Sequence, residues 1–129
     1  MIAVDTSALM AIVLHEPDGV GCITALKAED RLLISAGTVT EALIVAQRSG
    51  RDEQMRSLID GLGFEVVPVT DAAARRAAAA HGRWGKGARS AGLNFGDCFA
   101  YEAAKQHSCR LLYVGNDFSR TDIKNALKA

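Results

Sequence analysis

Hydrophobic positions fall in short runs separated by longer amphipathic stretches. Ile2 to Val4 is an apolar run that predicts a buried parallel strand. Asp5 to Ser7 supplies capping residues for a helix through Leu9 to Leu14. His15-Glu16-Pro17 breaks that helix, and Asp18 is placed to cap a second one to about Ala28. Leu32 to Ser35 predicts a second strand. Gly37 and Thr38 lead into a helix from about Val39 to Arg48, closed by Gly50, and a fourth helix runs from Asp52 to Leu62. Glu65 to Val67 belongs to a third strand. Thr70 or Asp71 caps a helix across the segment AAARRAAAA, because alanine favours helix. A glycine-rich basic loop extends from Gly82 to Gly96, and Asp97 opens a helix to about His107. Leu111 to Val114 is a fourth strand, with a turn at Gly115 and a short C-terminal helix after it.

Strands alternating with helices predict an α/β fold of three layers, α/β/α, around a parallel sheet of at least four strands. The 129 residues suit one domain. The hydrophobic share of 49% is enough to fold without disulfide or metal staples. Cys22, Cys98 and Cys109 are far apart and odd in number, which predicts buried thiols in a reducing compartment. MIAVDTSALM carries no basic leader, and no apolar stretch approaches the ~20 residues of a membrane span. A soluble, cytoplasmic protein follows as the expectation. The formal net charge is zero, so nucleic-acid binding would need a local basic patch.

In open α/β sheets the site lies beyond the carboxyl ends of the strands. Asp5 follows the first strand and Asp117 follows the fourth, across Gly115-Asn116. Glu41 sits in the first turn of the helix after the second strand, and Asp97 starts the helix before the fourth. Connectivity can therefore deliver all four to one end of the sheet. Read singly, Asp5 and Asp97 are explained as helix caps worth about 1 kcal/mol each, and Asp117 as a turn residue. Glu41 resists such an account, since its helix is apolar on most sides and no lysine or arginine lies within one turn of it. Two carboxylates at ~4 Å repel by roughly 4 kcal/mol at an effective dielectric of 20. A fold that gathers four must raise their pKa values or bind a hard cation, Mg²⁺ or Mn²⁺. His15, His81 and His107 are too scattered for a zinc site. No GxxxxGK[ST] loop and no Ser-His signature is present. The chemistry indicated is phosphoryl chemistry, in which the cation would activate a water, position the scissile phosphate and stabilise the leaving oxygen.

Val4-Asp5-Thr6-Ser7-Ala8-Leu9, Thr40-Glu41-Ala42, Gly92-Leu93-Asn94-Phe95-Gly96-Asp97-Cys98, and Leu112-Tyr113-Val114-Gly115-Asn116-Asp117-Phe118 through Thr121-Asp122-Ile123 stand in this order across essentially the whole chain. Together they resemble the PIN-domain VapC toxins of bacterial toxin–antitoxin modules. The resemblance implies a single PIN domain over residues 1–129 with Mg²⁺- or Mn²⁺-dependent endoribonuclease activity. It also implies a cognate VapB-type antitoxin and pairing into a homodimer. On it, the acidic positions fall on Asp5, Glu41, Asp97 and Asp117, with Asn116 or Asp122 able to share the fourth role. Asp5 and Asp97 would be the principal metal ligands, with Glu41 and Asp117 acting directly or through water. Thr6 or Ser7 could orient water, although capping explains both more simply. The products would carry 5′-phosphate and 3′-hydroxyl ends.

Arg83, Lys86 and Arg89 lie upstream of Asp97, and Trp84 offers a stacking surface for RNA. The plainer alternative is a solvated loop with Trp84 packed inward. Val39, Ala42, Leu43 and Ala46 form one apolar stripe with Ile44 and Val45 off it. Burial against the sheet or a subunit or antitoxin interface would each account for the surplus. Two rival functions use the same acidic end. One is a small-molecule phosphohydrolase of another α/β class, in which a second Asp would stand where Ser7 does. The other is a non-catalytic Mg²⁺-binding signalling module, which would call for a lysine near the last strand, and none follows that strand until Lys124.

Overall fold

The computed structural model describes residues 1–87 and 92–128. Four strands, β1 (Ile2–Val4), β2 (Leu32–Ser35), β3 (Glu65–Val67) and β4 (Arg110–Leu112), form one sheet in the order β3-β2-β1-β4. All pairings are parallel, with Ile2 opposite Leu32 on one side and Arg110 on the other. Between the strands lie α1 (Thr6–Val13), α2 (Gly19–Lys27), α3 (Ala36–Arg48), α4 (Asp52–Leu62), α5 (Asp71–Trp84) and α6 (Phe95–Gln106).

Side chains along a strand point alternately to its two faces, and each face has its own core. Ile2, Val4, Leu32, Ile34 and Leu112 pack against α1 to α4 through Leu9, Cys22, Ala42, Ala46 and Met55. Ala3, Leu33 and Leu111 pack against α5 and α6 through Ala77, Ala80, Ala100 and Ala104. The small alanine side chains let these two helices lie close to each other and to the sheet. The result is the expected three-layer arrangement with helices on both faces. Most of the stripe on α3 is spent on this burial: Ala42 and Ala46 are buried and Val39 and Leu43 half-buried, while Ile44 stays exposed.

The strand order has a consequence for the site. From β1 through β2 to β3 the chain moves outward in one direction, with α1 to α4 on one face. It then returns through α5 and α6 on the other face to place β4 on the far side of β1. The two connections diverge at the carboxyl ends of β1 and β4, which opens a crevice there.

Several local expectations are corrected. Asp18 precedes α2 in helical backbone geometry and makes no side-chain capping bond. α3 begins at Ala36, because the buried Ser35 at the end of β2 accepts from Gly37 N and caps it. Glu41 is therefore in the second turn, not the first. α5 runs through Arg83 to Trp84, so the glycine-rich loop is shorter than predicted. β4 ends at Leu112, because Tyr113 N and Val114 N donate to the side chains of Asn125 and Ser7 rather than to a strand. No helix follows Gly115 among the described residues. Ser119 and Thr121 hydroxyls close a turn on the carbonyls of Asn116 and Phe118, and Asn125 then bridges to Leu111 beside β4. Cys22 and Cys98 are buried and free as expected, whereas Cys109 is only half-buried.

Replacing the fully buried Ile34 of β2 by Ala is expected to remove about 2–5 kcal/mol of stability. The measurement is a lowered urea midpoint at unchanged denaturant slope.

Candidate active site

Asp5 caps α1 from the end of β1. Its Oδ2 accepts from Ser7 N at 3.0 Å and from Ser7 Oγ at 2.7 Å. The same Oγ accepts from Val114 N at 3.0 Å, which ties the end of β1 to the segment after β4 across the crevice. Asp5 is 3% exposed, and its Oδ1 is buried with no hydrogen-bond partner.

Asp97 comes from the opposite layer. It does not open α6, as the sequence suggested; Asn94 does. Asn94 Oδ1 accepts from Asp97 N at 2.9 Å while Asp97 Oδ2 accepts from Asn94 N at 3.0 Å, a reciprocal capping box. The box fixes one carboxylate oxygen of a side chain that is 4% exposed.

Glu41 is half-buried, and its Oε1 accepts from Thr6 Oγ1 at 2.6 Å. Its carboxylate lies against Gly96, so closely that a side-chain carbon on Gly96 would overlap it. Gly96 is the second residue of α6, which puts the Glu41 carboxylate at that helix's N-terminus, where the macrodipole favours an anion by about 0.3–1 kcal/mol. The support missing from Glu41's own helix is thus supplied by another one. Thr6 and Ser7 act through their hydroxyls on two carboxylates, while the capping of α1 falls to Asp5. Sequence reasoning gave no separate role to Asn94 or Gly96. Asn94 was legible as an Asn-x-x-Asp capping pattern, but the need for glycine at position 96 follows only from Glu41's position.

Asp117 is exposed beside this group, and its charge acts on Asp97. Asn116 is exposed, with its carbonyl held by the Ser119 hydroxyl. Asp122 is engaged elsewhere, accepting from Tyr101 OH at 2.6 Å and Lys105 Nζ at 3.1 Å. Those partners hold its carboxyl below the ordinary value in spite of the desolvation that opposes them. The basic stretch is partly engaged as well. Trp84 Nε1 donates to Tyr101 OH at 3.1 Å, and the Arg83 guanidinium lies over the Trp84 ring, 4.6 Å from its centre and 4.0 Å from Asp122. The inward-packed alternative for Trp84 therefore holds. Lys86 is exposed, and Arg89 lies outside the described residues.

Among the described residues three carboxylates are buried: Asp5, Asp97 and Glu102. Glu102 is neutralised by Arg76 at 2.9 Å. No such ion pair reaches Asp5 or Asp97 among the described residues. Burial pushes Asp5 up from 3.8 to about 6, against the hydrogen bonds from Ser7, and the charge of Glu41 adds to the rise. Burial pushes Asp97 up from 3.8 to about 7, with the charges of Asp5, Asp117 and Glu41 adding to it. The same three neighbours that connectivity predicted are thus felt at Asp97. Among the described residues, no three His, Cys, Asp or Glu side chains stand close enough to enclose an ion as they are placed. Glu41 and Asp97 are each turned to a hydrogen-bond donor instead. The donor chemistry still fits a hard cation: carboxylate oxygens, two of the side chains buried, and one oxygen with no partner.

A family profile for the PIN domain matches residues 2–124. Ribonuclease VapC28 of Mycobacterium tuberculosis is 41% identical over 129 residues, covering 96% of each chain. The fold is similar to that of Mycobacterium tuberculosis VapC20, described as a sarcin-ricin loop cleaving toxin. That match has a TM-score of 0.76 and 15% identity, covering 95% of this chain and 96% of the other. It is also similar to a chain of a toxin–antitoxin complex from Klebsiella pneumoniae, with a TM-score of 0.69, 19% identity, and 95% and 93% covered.

A carboxyl whose pKa rises on folding favours the fold while it is protonated. That contribution is complete below about 3.8 and is lost as pH rises through about 6 for Asp5 and about 7 for Asp97. In EDTA, stability should therefore fall between pH 5 and pH 8. Asp97→Asn, neutral throughout and still able to accept from Asn94 N, should show a shallower fall. Thermal unfolding of both proteins at the two pH values makes the comparison; parallel slopes would contradict it.

Proposed function

The chain belongs to the PIN-domain family, and from that premise we propose that it is an endoribonuclease, the toxin of a toxin–antitoxin pair, acting through Asp5, Glu41, Asp97 and Asp117. The observation that carries this reading is the burial of Asp5 and Asp97 at the switch point of a parallel sheet with no basic side chain paired to either among the described residues, and with Asp5 Oδ1 left unpartnered. A protein that keeps two such carboxylates together forgoes stability, which a divalent cation restores.

Asp5 and Asp97 would hold Mg²⁺ or Mn²⁺ principally, with Glu41 and Asp117 directly or through water. When bound, the cation supplies activation of a water and neutralisation of charge at the phosphodiester. The remaining work belongs to the side chains. Ser7 holds Asp5 Oδ2 and leaves Oδ1 free. Asn94 fixes Asp97 Oδ2 and leaves the other oxygen for the site. Thr6 orients Glu41, and Gly96 gives its carboxylate room at the start of α6. Asp117, exposed at the rim, faces incoming solvent and substrate. Asn116 and Asp122 are left out of this group, since Asp122 is bound to Tyr101 and Lys105.

The 41%-identical relative is named a ribonuclease and a structural neighbour is a toxin–antitoxin complex, which supports RNA as substrate and a small VapB-type antitoxin as partner. Residues 1–129 acting as a single PIN domain, two copies pairing, and work in the cytoplasm complete the reading. No helix among the described residues is long and apolar enough to cross a membrane. Neither the phosphohydrolase nor the signalling alternative has an observation in its favour, since the family match spans residues 2–124.

The purified protein should cut single-stranded RNA with Mg²⁺ or Mn²⁺ added, leave 5′-phosphate and 3′-hydroxyl ends, and stop in EDTA. Asp5→Asn and Asp97→Asn should each lower the rate by at least about 100-fold, on the scale of lost electrostatic stabilisation. Cleavage that persists in Asp97→Asn with EDTA would sink the mechanism.

For the basic stretch, Lys86→Glu combined with Arg89→Glu should weaken RNA binding and reduce its salt dependence, leaving the unfolding midpoint near that of the wild type. A filter-binding titration at two salt concentrations decides; an unchanged salt slope would remove these residues from the RNA path.

A further inference from the structure

Phe95 is 78% exposed, which is unusual for a phenylalanine and is the highest exposure among the large apolar side chains described. It is the first residue of α6, two positions before Asp97 and adjacent to Gly96, where the Glu41 carboxylate rests. The ring is not left to wander. Phe99, one turn along, meets it edge-on with ring centres 5.1 Å apart and an interplanar angle of 80°. Next to it lies a cleft of about 520 Å³ between α5 and α6, lined mainly by apolar side chains such as Val69, Ala77 and Phe99, with His81 among them. Among the described residues, no lysine or arginine lines this cleft. It therefore suits a flat, uncharged ring better than a phosphate. The aromatic residue that the sequence offered for stacking, Trp84, is engaged by Tyr101 at its ring nitrogen and covered by Arg83 on one face.

We propose that Phe95 and the cleft beside it receive an unpaired nucleobase of the RNA next to the phosphodiester that is cut. This rests on the ribonuclease reading above. Phe95 stands at the same helix terminus as the Glu41 carboxylate, one residue from Gly96, so a strand whose phosphate lies at the carboxylate site can pass a neighbouring nucleotide over Phe95. Stacking on an aromatic face tolerates every base and needs no positive charge. That matters in a chain whose net charge is zero and whose site is acidic. Phe95 is thus a substrate-positioning residue, with Phe99 setting the orientation of its ring and His81 available to a base edge.

The test is steady-state cleavage of a single-stranded RNA by the full chain. Phe95→Ala should raise KM about tenfold or more with a smaller change in kcat. Phe95→Leu, which keeps apolar bulk without a ring face, should retain most of the defect, and Phe95→Trp should recover it. Since the side chain is exposed, thermal unfolding of all three should match the wild type. In a second arm, Phe95→Trp in the Asp97→Asn background should lose fluorescence on binding the same RNA. It should lose less with an oligonucleotide that carries abasic sites on both sides of the mapped cut. An unchanged KM in Phe95→Ala beside an active wild type, or equal quenching by the abasic strand, would overturn the proposal. Two further results would overturn it by assigning the face elsewhere. One is Phe95→Ala turning a dimer into a monomer at unchanged KM, which marks a subunit interface. The other is loss of antitoxin binding at unchanged KM, which marks a protein-docking surface. A wild type that cuts no RNA would sink the ribonuclease reading, and the fluorescence arm, run with a strand abasic throughout, would still decide whether Phe95 meets a base.

Discussion

Two buried carboxylates with no basic side chain paired to them among the described residues lie at the point where the chain reverses its course across the sheet, and much of the surrounding structure serves to hold them. Asp5 is carried on the central strand and is tied through Ser7 to Val114 after β4. Asp97 is locked by the Asn94 capping box at the start of α6. Burial and mutual repulsion raise both pKa values, to about 6 and about 7. Glu102, on the same helix as Asp97 and equally buried, shows the ordinary solution, a direct ion pair with Arg76. Asp5 and Asp97 lack that solution among the described residues, and this is what supports reading them as a functional site.

The strand order explains why this happens at one place. Four parallel strands with helices on both faces would leave many positions for acidic residues. Only between β1 and β4 do the connections diverge, so that side chains from both helical layers can meet. α3 approaches from one layer with Glu41 and α6 from the other with Asp97, and the missing side chain at Gly96 lets them come together. The polar hydroxyls of Thr6 and Ser7 then act as fixed partners for carboxylates that have no cationic one. The acidic residues end in different surroundings. Asp5 and Asp97 are buried and constrained, Glu41 is half-buried at a helix terminus, and Asp117 stands at the exposed rim.

Much of this was legible in the sequence. The strands Ile2–Val4 and Leu32–Ser35 follow directly from short apolar runs, because a strand covered on both faces tolerates no polar interruption, and the helix Asp52–Leu62 follows from its boundaries at Gly50 and Gly63. The four acidic positions could be assigned to one end of the sheet from connectivity alone. Less legible were the ends of helices. Ser35 rather than Gly37 or Thr38 starts α3, and Asn94 rather than Asp97 starts α6, since a capping side chain is chosen by backbone geometry that neighbouring Ser, Asn and Asp residues satisfy equally well on paper.

What the sequence determined by itself was the layer architecture and which acidic residues gather at one end of the sheet, because both follow from local periodicity and from the order of strands and helices. What only the tertiary structure decided was how the residues are partnered. Glu41 is stabilised by the N-terminus of α6 and by Thr6, 35 positions away. Asp122 is drawn off to Tyr101 and Lys105, leaving Asp117 as the acid felt by Asp97. Trp84 is turned inward, and Phe95, its ring set by Phe99, is the aromatic face left beside the carboxylates. Apart from the Phe95–Phe99 pair within α6, these outcomes depend on contacts between elements distant in the chain, which no local pattern encodes. They are fixed when the two helical layers close over the sheet and bring those elements within hydrogen-bonding distance.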